Sequence, residues 1–126
     1  MASIKSGYDA ATFPTDADLS SAENLLVKFD SGDLVLATAV TDNVVGIVIR
    51  GNDGSTTADF ASVAISGCYK VKAGGAITAG ALLTATTGGE AIATTTAEDN
   101  VFAIALDAAD DGDLCPVALR FSHYHA

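Results

Sequence analysis

The sequence contains no tryptophan, two prolines, two histidines and two cysteines, and 6 lysines and arginines among its 126 residues. Asp and Glu outnumber Lys and Arg by 16 to 6, which gives a net charge of −10. Because the phosphate backbone attracts cationic protein surfaces and repels anionic ones, this balance argues against nucleic acid as a partner. An anionic membrane surface would repel the chain for the same reason.

Long apolar segments are absent as well. The longest apolar runs are residues 44–49 and 101–106, whereas a membrane-spanning helix needs about 20 such residues. The first residues also lack the hydrophobic region of a signal peptide. The sequence therefore predicts a protein that is made in the cytoplasm and has no membrane partner.

The two cysteines fit neither a disulfide framework nor a metal-binding pattern. Alternation along the predicted strands places Cys115 on the same face as Val117 and Leu119, and Cys68 on the opposite face, beside Lys70. Since side chains on opposite faces cannot be bridged without moving the backbone, we expect two reduced thiols.

The chain contains an internal repeat. Residues 25–54 and 82–111 align without a gap and are identical at nine of thirty positions, and the match resumes at 60–65 and 114–119. The identical pairs are Leu25/Leu82, Leu26/Leu83, Gly32/Gly89, Thr38/Thr95, Asp42/Asp99, Asn43/Asn100, Val44/Val101, Ile47/Ile104 and Asp53/Asp110. These are core and turn residues, so the repeat indicates a duplicated structural unit rather than a duplicated active site.

The repeat unit has the pattern of short strands joined by tight turns. Glycine at positions 32 and 89 and Asp-Asn at 42–43 and 99–100 suit turns with positive φ. The apolar runs at 44–49 and 101–106 indicate strands that are covered on both faces. The alternating stretch 61–72 indicates a strand with one wet face, and Gly67 within it suggests a bulge. We predict an all-β fold, a small β-barrel or compact sandwich with pseudo-two-fold symmetry.

The domain organisation follows from the extent of the repeat. Residues 1–18 lie outside it and are mostly small and polar, so we interpret them as a flexible N-terminal arm. Residues 19–126 form one β domain, with repeat units at about 25–65 and 82–119. At most one helical turn is expected near residues 19–24, where Ser20 and Glu23 have capping-box spacing.

No set of residues has the pattern of a catalytic or cofactor site. His123 and His125 would share one face of a strand, but no cysteine or carboxylate accompanies them, so a solvated tail is favoured over a metal site. The acidic loop 107–113 lacks the spacing of a calcium loop and is interpreted as a solvated turn. The glycine-rich stretches at 73–75 and 88–89 lack the lysine of a phosphate-binding loop. We therefore expect a protein that is not an enzyme and has no cofactor.

Two stretches resemble a known family. Residues 69–83 (YKVKAGGAITAGALL) and 101–113 (VFAIALDAADDGD), followed by the apolar segment 117–119, are similar to the capsid cement family of tailed phages. Residues 32–35 and 44–48 of the first half fit the same pattern, and the similarity covers residues 25–121. The sequence departs from the family at Ala103, where glycine is usual, and in the N-terminal arm.

The resemblance implies a small β protein on the outer surface of an icosahedral phage head, made in the host cytoplasm. Such proteins bind the major capsid protein, commonly as homotrimers, and stabilise its lattice. Some relatives carry a recombinase label, but the missing phosphate loop argues against that activity here. We predict that the arm contributes the capsid contacts, through Ile4, Lys5, Tyr8, Phe13 and Pro14.

Two other functions fit the same features. A tail or head–tail joining protein would also be a rigid β protein of a virion. A carbohydrate- or receptor-binding module exposed on the capsid is the other alternative, although such modules favour aromatic platforms and this chain has no tryptophan.

Overall fold

The computed structural model describes residues 7–15, 18–52, 59–96 and 99–123. Within these ranges the chain forms nine strands and one short 3-10 helix, Thr87–Gly89. The strands are β1 (Tyr8–Thr15), β2 (Leu26–Asp30), β3 (Asp33–Leu36), β4 (Gly46–Arg50), β5 (Asp59–Lys72), β6 (Leu82–Ala85), β7 (Ala91–Ala93), β8 (Asn100–Ala105) and β9 (Leu114–His123). Residues 19–25 form two consecutive turns, closed by bonds from the Ala22 amide to the Leu19 carbonyl and from the Leu25 amide to the Ala22 carbonyl.

Eight of the strands form one curled antiparallel sheet with the shape of a half-barrel. Their order is β3-β2-β4-β5-β9-β8-β6-β7, and β1 pairs with β5 outside this path. The prediction of an all-β fold is therefore confirmed. Curling lets a single sheet cover its own inner face, which a flat sheet of this size cannot do.

The long strand β5 is shared between two halves of the molecule. Its residues 59–67 pair with β1 and residues 62–64 pair with β4, whereas its residues 68–72 pair with β9. Gly67 lies at the change-over with φ +89°, and a Cβ there would clash with the Gly7 carbonyl oxygen. The β1–β5 register also shifts nearby, between Asp9 and Ala10. The irregularity predicted from Gly67 is thus present.

The two halves repeat the same strand order. In the N-terminal half it is β3-β2-β4 followed by the first part of β5, and in the C-terminal half it is β7-β6-β8 followed by β9. The residue pairs across corresponding strands also correspond, in the register of the sequence repeat. These pairs are Ile47↔Ala64 with Val48↔Val63, and Ile104↔Ala118 with Ala105↔Val117. The duplication found in the sequence is therefore a duplication of strand pairing.

Strand β1 completes the N-terminal half, and its counterpart in the C-terminal half is the second part of β5. Two of its pairs with β5 recur between β5 and β9. They are Thr12↔Ser62 with Phe13↔Ala61, and Lys70↔Pro116 with Val71↔Cys115. The repeated unit thus has five strands, and the long strand β5 is the last strand of one unit and the first strand of the next.

Residues 8–15 therefore differ from the flexible arm expected for residues 1–18. They form a strand on the chain's own β5 because β5 presents a row of backbone donors and acceptors that must be paired. Tyr8, Phe13 and Pro14 lie on this strand. Ile4 and Lys5 lie outside the described residues.

Each half closes where its first and third strands meet. In the N-terminal half, the Thr15 hydroxyl donates to the Leu34 carbonyl oxygen at 2.7 Å. In the C-terminal half, the corresponding residues Ala73 and Ala91 form a parallel bridge, and the Gly74 amide donates to the Ala91 carbonyl at 2.7 Å. The same seam is thus closed by a side chain in one half and by backbone in the other.

Two clusters of buried side chains form the core. The larger lies mostly in the C-terminal half, around Phe102, and the smaller lies in the N-terminal half, around Leu34 and Val63. Strand β4 contributes to both, because Ile47 belongs to the larger cluster and Val48 to the smaller. Its two buried faces agree with the doubly apolar run in the sequence.

Both cysteines are free, as predicted. Cys115 is buried in the larger cluster together with Val117, whereas Cys68 is half-buried. Burial raises the pKa of the Cys115 thiol, and the nearby Asp107 carboxylate adds to the effect. Cys115 therefore stays a neutral, unreactive thiol within the core.

Hydrogen bonds from Asn100 fasten the two halves together. Its side-chain Nδ2 donates to the carbonyl oxygens of Thr41 and Asp42, at 2.8 and 3.2 Å, and to Oδ1 of Asn43 at 3.1 Å. Its backbone amide also donates to the Val40 carbonyl at 2.9 Å. One residue of β8 thus holds the 40–43 turn of the other half, through its side chain and its backbone amide.

Asp42 fixes the shape of that turn from within. Its Oδ2 accepts bonds from the Thr38 and Ala39 amides, at 2.8 and 3.0 Å, and its Oδ1 lies 3.1 Å from the Lys28 ammonium. Burial by itself would raise the pKa of this carboxyl. The Thr38 amide and the Lys28 ammonium outweigh that effect, and the pKa lies below its ordinary value.

Candidate functional site

The described part of the predicted contact region lies on β1, which has an exposed outer face. Tyr8 is 41% exposed and lies at the start of the strand, and Pro14 is exposed near its end. Phe13 is half-buried and packs against the smaller core cluster. The structure therefore places these three residues on one strand but at its two ends, with Tyr8 apart from Phe13 and Pro14.

Phe13 and Pro14 each lie next to a phenylalanine of another strand. The rings of Phe13 and Phe29 meet edge to face, with centroids 5.4 Å apart. Pro14 is paired with Phe60 across β1 and β5. We call Phe13, Pro14, Phe29 and Phe60 the aromatic cluster. Phe29 and Phe60 are 51% and 60% exposed, which is unusual for phenylalanine.

The fold explains why Phe29 and Phe60 remain exposed. Phe29 is the last residue but one of β2, next to the two-residue turn of Ser31 and Gly32, and both turn residues have positive φ. Phe60 is the second residue of β5, so it also lies next to the end of a strand. Strand ends are where the sheet no longer covers side chains, so these rings lie beyond the core.

Sequence reasoning did not single out Phe29 or Phe60 as site residues. Phe29 precedes a predicted turn, and Phe60 corresponds to Leu114 in the repeat, which is also exposed, at 48%. Two large apolar side chains at matching positions on the outer face would have been the indication. This indication is hard to see in the sequence because Phe60 begins a stretch in which apolar and polar residues alternate, as in an ordinary strand with one buried face.

The charge beside the aromatic cluster is negative. The β2–β3 turn is flanked by Asp30 and Asp33, which face each other across the two strands. Within the described residues, two of the few cations are already occupied, since Lys28 pairs with Asp42 and Lys72 pairs with Glu90 at 3.3 Å. A partner that covers the cluster would meet apolar rings bordered by carboxylates.

Tyr8 belongs to a second ring contact at the junction of the halves. Its ring meets that of Tyr69 edge to face, with centroids 4.9 Å apart. Burial raises the pKa of the Tyr69 phenol, and the neighbouring Tyr8 and Glu23 raise it further. The Tyr69 phenol therefore stays neutral at physiological pH, and the contact between the two rings is a packing contact.

The other candidates from the sequence gather no site in the described residues. The carboxylates of the 107–113 loop are not assembled with other metal-ligating side chains in groups of three or more anywhere in the described ranges. His123 ends β9, and His125 lies outside the described residues.

A small open surface cleft of about 130 Å³ lies beside Asp18, Ser20, Ser21, Ala22 and Leu36. The Asp18 carboxylate accepts bonds from the Ser20 hydroxyl and amide, at 2.7 and 3.0 Å. These two bonds lower the pKa of Asp18. An exposed carboxylate with a lowered pKa is a poor proton donor or acceptor near neutral pH, so this cleft does not have the features of a catalytic site.

No helix among the described residues has the length and apolar composition needed to cross a bilayer.

The comparisons with known proteins find similarity to solved structures but no match to a family model or a curated protein. Among solved structures, the chain is similar to the N base of the head fiber protein gp8.5 of bacteriophage phi29. The match has a TM-score of 0.69 and 20% identity and covers 94% of this chain and 100% of that one. The two proteins therefore share a fold over nearly their whole length.

Proposed function

We propose that this protein is a decoration protein of a tailed-phage head, which binds the outer surface of the major capsid protein lattice and stabilises it. The observation that carries the proposal is the fold shared with the phi29 head fiber base over 94% of the chain. The cement-family resemblance of residues 69–83 and 101–113 points to the same kind of protein. The work is adhesion, without catalysis, cofactor, nucleic acid or membrane.

The physical features of the protein suit such a role. A protein that binds only the assembled lattice stabilises it by mass action, and it needs rigidity and complementary surface rather than perturbed pKa values. Rigidity comes from a sheet in which β5 runs through both halves. Complementary surface comes from the aromatic cluster, because exposed aromatic side chains dominate the energy of many protein interfaces.

We place the capsid contact on the aromatic cluster and the N-terminal residues beside it. Phe13 and Pro14 are members of the cluster, and Tyr8 lies on the same strand. Ile4 and Lys5 precede that strand and stay predictions. The carboxylates of Asp30 and Asp33 beside the rings favour a partner surface that presents apolar residues together with lysine or arginine.

Adding the purified protein to undecorated heads and imaging them by electron microscopy tests the proposal. A decoration protein gives repeated density over the whole head lattice. Density confined to a single vertex would instead identify a head–tail joining protein, and an absence of head density would contradict the proposal. Selective binding on a glycan array would favour the carbohydrate-binding alternative.

The similarity to the N base of a phage head fiber favours one variant of this role, the base of a head fiber. In that case the β domain anchors a further segment that projects from the head. Images of heads that carry the protein as it occurs in the virion distinguish the two, because a cement protein ends as a compact knob whereas a fiber base carries density that extends outward.

The proposed oligomer is a homotrimer, which the family resemblance implies. Sedimentation equilibrium over a range of protein concentrations tests it. A mass of three chains supports a preformed trimer, and a monomer at every concentration contradicts it. Three-fold density on the head with a monomer in solution would mean that the trimer assembles on the lattice.

A further inference from the structure

Strand β1 fills a groove that the rest of the chain leaves open. The groove lies between β5, with which β1 pairs along Tyr8–Thr15, and β3, which receives the Thr15 hydroxyl bond. Without β1, the edge of β5 from 59 to 67 would lose its partner, and the smaller core cluster around Val63 would lose the cover of Phe13. The N-terminal half therefore needs a strand at this position.

The C-terminal half fills the corresponding groove with a strand that cannot leave. There the same position is taken by residues 68–72 of β5, which are continuous with the strand that serves the other half. Strand β1, by contrast, pairs within the N-terminal half and is not continuous with any described strand of the other half. The duplication thus gives the molecule one groove whose strand is shared between the halves and one whose strand serves that groove alone.

The hold on β1 is mostly backbone pairing. Of its eight residues, one (Thr15) is buried, two (Ala11 and Phe13) are half-buried, and the rest are exposed. Few buried side chains mean little hydrophobic energy to keep the strand in its own groove. The connection is also short, because Thr15 is fixed to Leu34 and the Leu19 amide is bound by the Asn52 side chain at 2.9 Å.

We infer that β1 is an exchangeable strand, and that in the oligomer β1 of one copy occupies the groove between β5 and β3 of a neighbouring copy. The second copy is the natural donor because its β1 makes every contact that the structure already contains, so that no new complementarity is required. A short connection between fixed points favours such exchange. Passed from each copy to the next, the strand closes a ring. The inference does not depend on capsid binding.

A pair of cysteines across β1 and β5 tests the exchange. Thr12 and Ser62 are paired residues whose hydroxyl oxygens lie 3.4 Å apart, a separation that a disulfide can span. The variant carries Thr12→Cys and Ser62→Cys, with Cys68→Ser to remove the half-buried thiol; the buried Cys115 stays. After mild oxidation of the purified protein, a denaturing gel without reductant shows which chains are joined.

The C-terminal half supplies the matched control. Lys70 and Pro116 are the counterparts of Thr12 and Ser62, but Lys70 lies on a strand that cannot be exchanged. In the same background, Lys70→Cys with Pro116→Cys should therefore give single chains with an internal disulfide. For Thr12→Cys with Ser62→Cys we expect covalently joined chains, two or three together. Single chains in both variants would overturn the inference, whatever the outcome of the head-binding experiment.

Discussion

Replacing Phe60 by alanine gives a quantitative test of the aromatic cluster. The ring is 60% exposed in the free protein, and a partner on the cluster would cover that part. Full burial of a phenylalanine side chain is worth about 1.5–3 kcal/mol, so covering the exposed portion is worth about 1–2 kcal/mol. At about 1.4 kcal/mol for each tenfold change, F60A should weaken binding to heads about 5- to 30-fold.

The assay is a titration of undecorated heads with labelled protein, in which free and bound protein are separated by sedimentation. Leu114→Ala is the matched control, because Leu114 is the exposed apolar residue at the corresponding position of the other half. Urea unfolding of both variants shows whether either change alters the free energy of unfolding, which should fall by less than about 1 kcal/mol for such exposed sites. Heads that bind F60A as tightly as the wild type, while L114A binds more weakly, would refute the placement of the contact.

Three further substitutions test how individual residues stabilise the fold. Asp42→Asn removes a carboxylate whose pKa is lowered by folding, so the stability difference from the wild type should be full above the ordinary carboxyl pKa of about 3.9 and be lost as the pH falls through the lower pKa of the folded state; urea unfolding at several pH values measures it, with the exposed Asp111→Asn as control. Asn100→Ala removes the side-chain bonds between the halves and should cost about 1–3 kcal/mol in urea unfolding. Gly67→Ala should lower the melting temperature more than Gly112→Ala, because both have positive φ but only Gly67 is crowded by backbone.

The all-β fold and the duplication of a strand unit could be predicted from the sequence, whereas the order of the strands in the sheet was not predicted. Core residues such as Ile47 and Ile104 recur because strand pairing repeats, and a repeated pairing demands a repeated pattern of buried side chains. Glycine at 67 indicated an irregular strand because few other residues adopt its positive φ. These features depend on local backbone conformation and burial, which a sequence records directly.

The sequence alignment is one residue out of register at strands β2 and β6. It pairs Leu25 with Leu82, whereas the backbone bonds pair Leu25 with Ala81: Val48 donates to Leu25, and Ala105 donates to Ala81, both at 2.9 Å. The β6–β7 hairpin contains one residue more between its paired strands than the β2–β3 hairpin. Two consecutive leucines in both units conceal the shift, because either alignment places a leucine over a leucine.

A second pair of equivalent residues, one in each half, cannot be recognised in the alignment because the two residue types differ. Asn24 and Gly80 both have positive φ. The Asn24 amide donates to the Val48 carbonyl in β4, and the Gly80 amide donates to the Ala105 carbonyl in β8, both at 2.8 Å. Asparagine and glycine both tolerate this conformation, so the turn is the same although the residues differ. The Asn24 side chain also donates to the Lys70 carbonyl, a contact that glycine cannot make.

Strand β1 and the aromatic cluster could not be predicted because they depend on long-range pairing. Residues 8–15 share no identity with residues 66–73, their counterparts in the C-terminal half. Pro14 and the run of small residues give a weak strand pattern, and it is the unpaired edge of β5 that makes them a strand. The cluster in turn needs β1 in position, since Phe13 and Pro14 meet Phe29 and Phe60 across three different strands.

The divergence between the halves bears on where the protein acts. The cluster residues Phe13, Phe29 and Phe60 have the counterparts Val71, Ala85 and Leu114, so the C-terminal half carries the same frame without the rings. Val71 and Ala85 are buried in the core of the C-terminal half, whereas Phe29 and Phe60 are exposed. When one copy of a duplicated unit keeps the frame and the other adds exposed aromatic side chains, folding does not account for the addition. We propose contact with a partner as the reason, and the N-terminal half is where that partner should be sought.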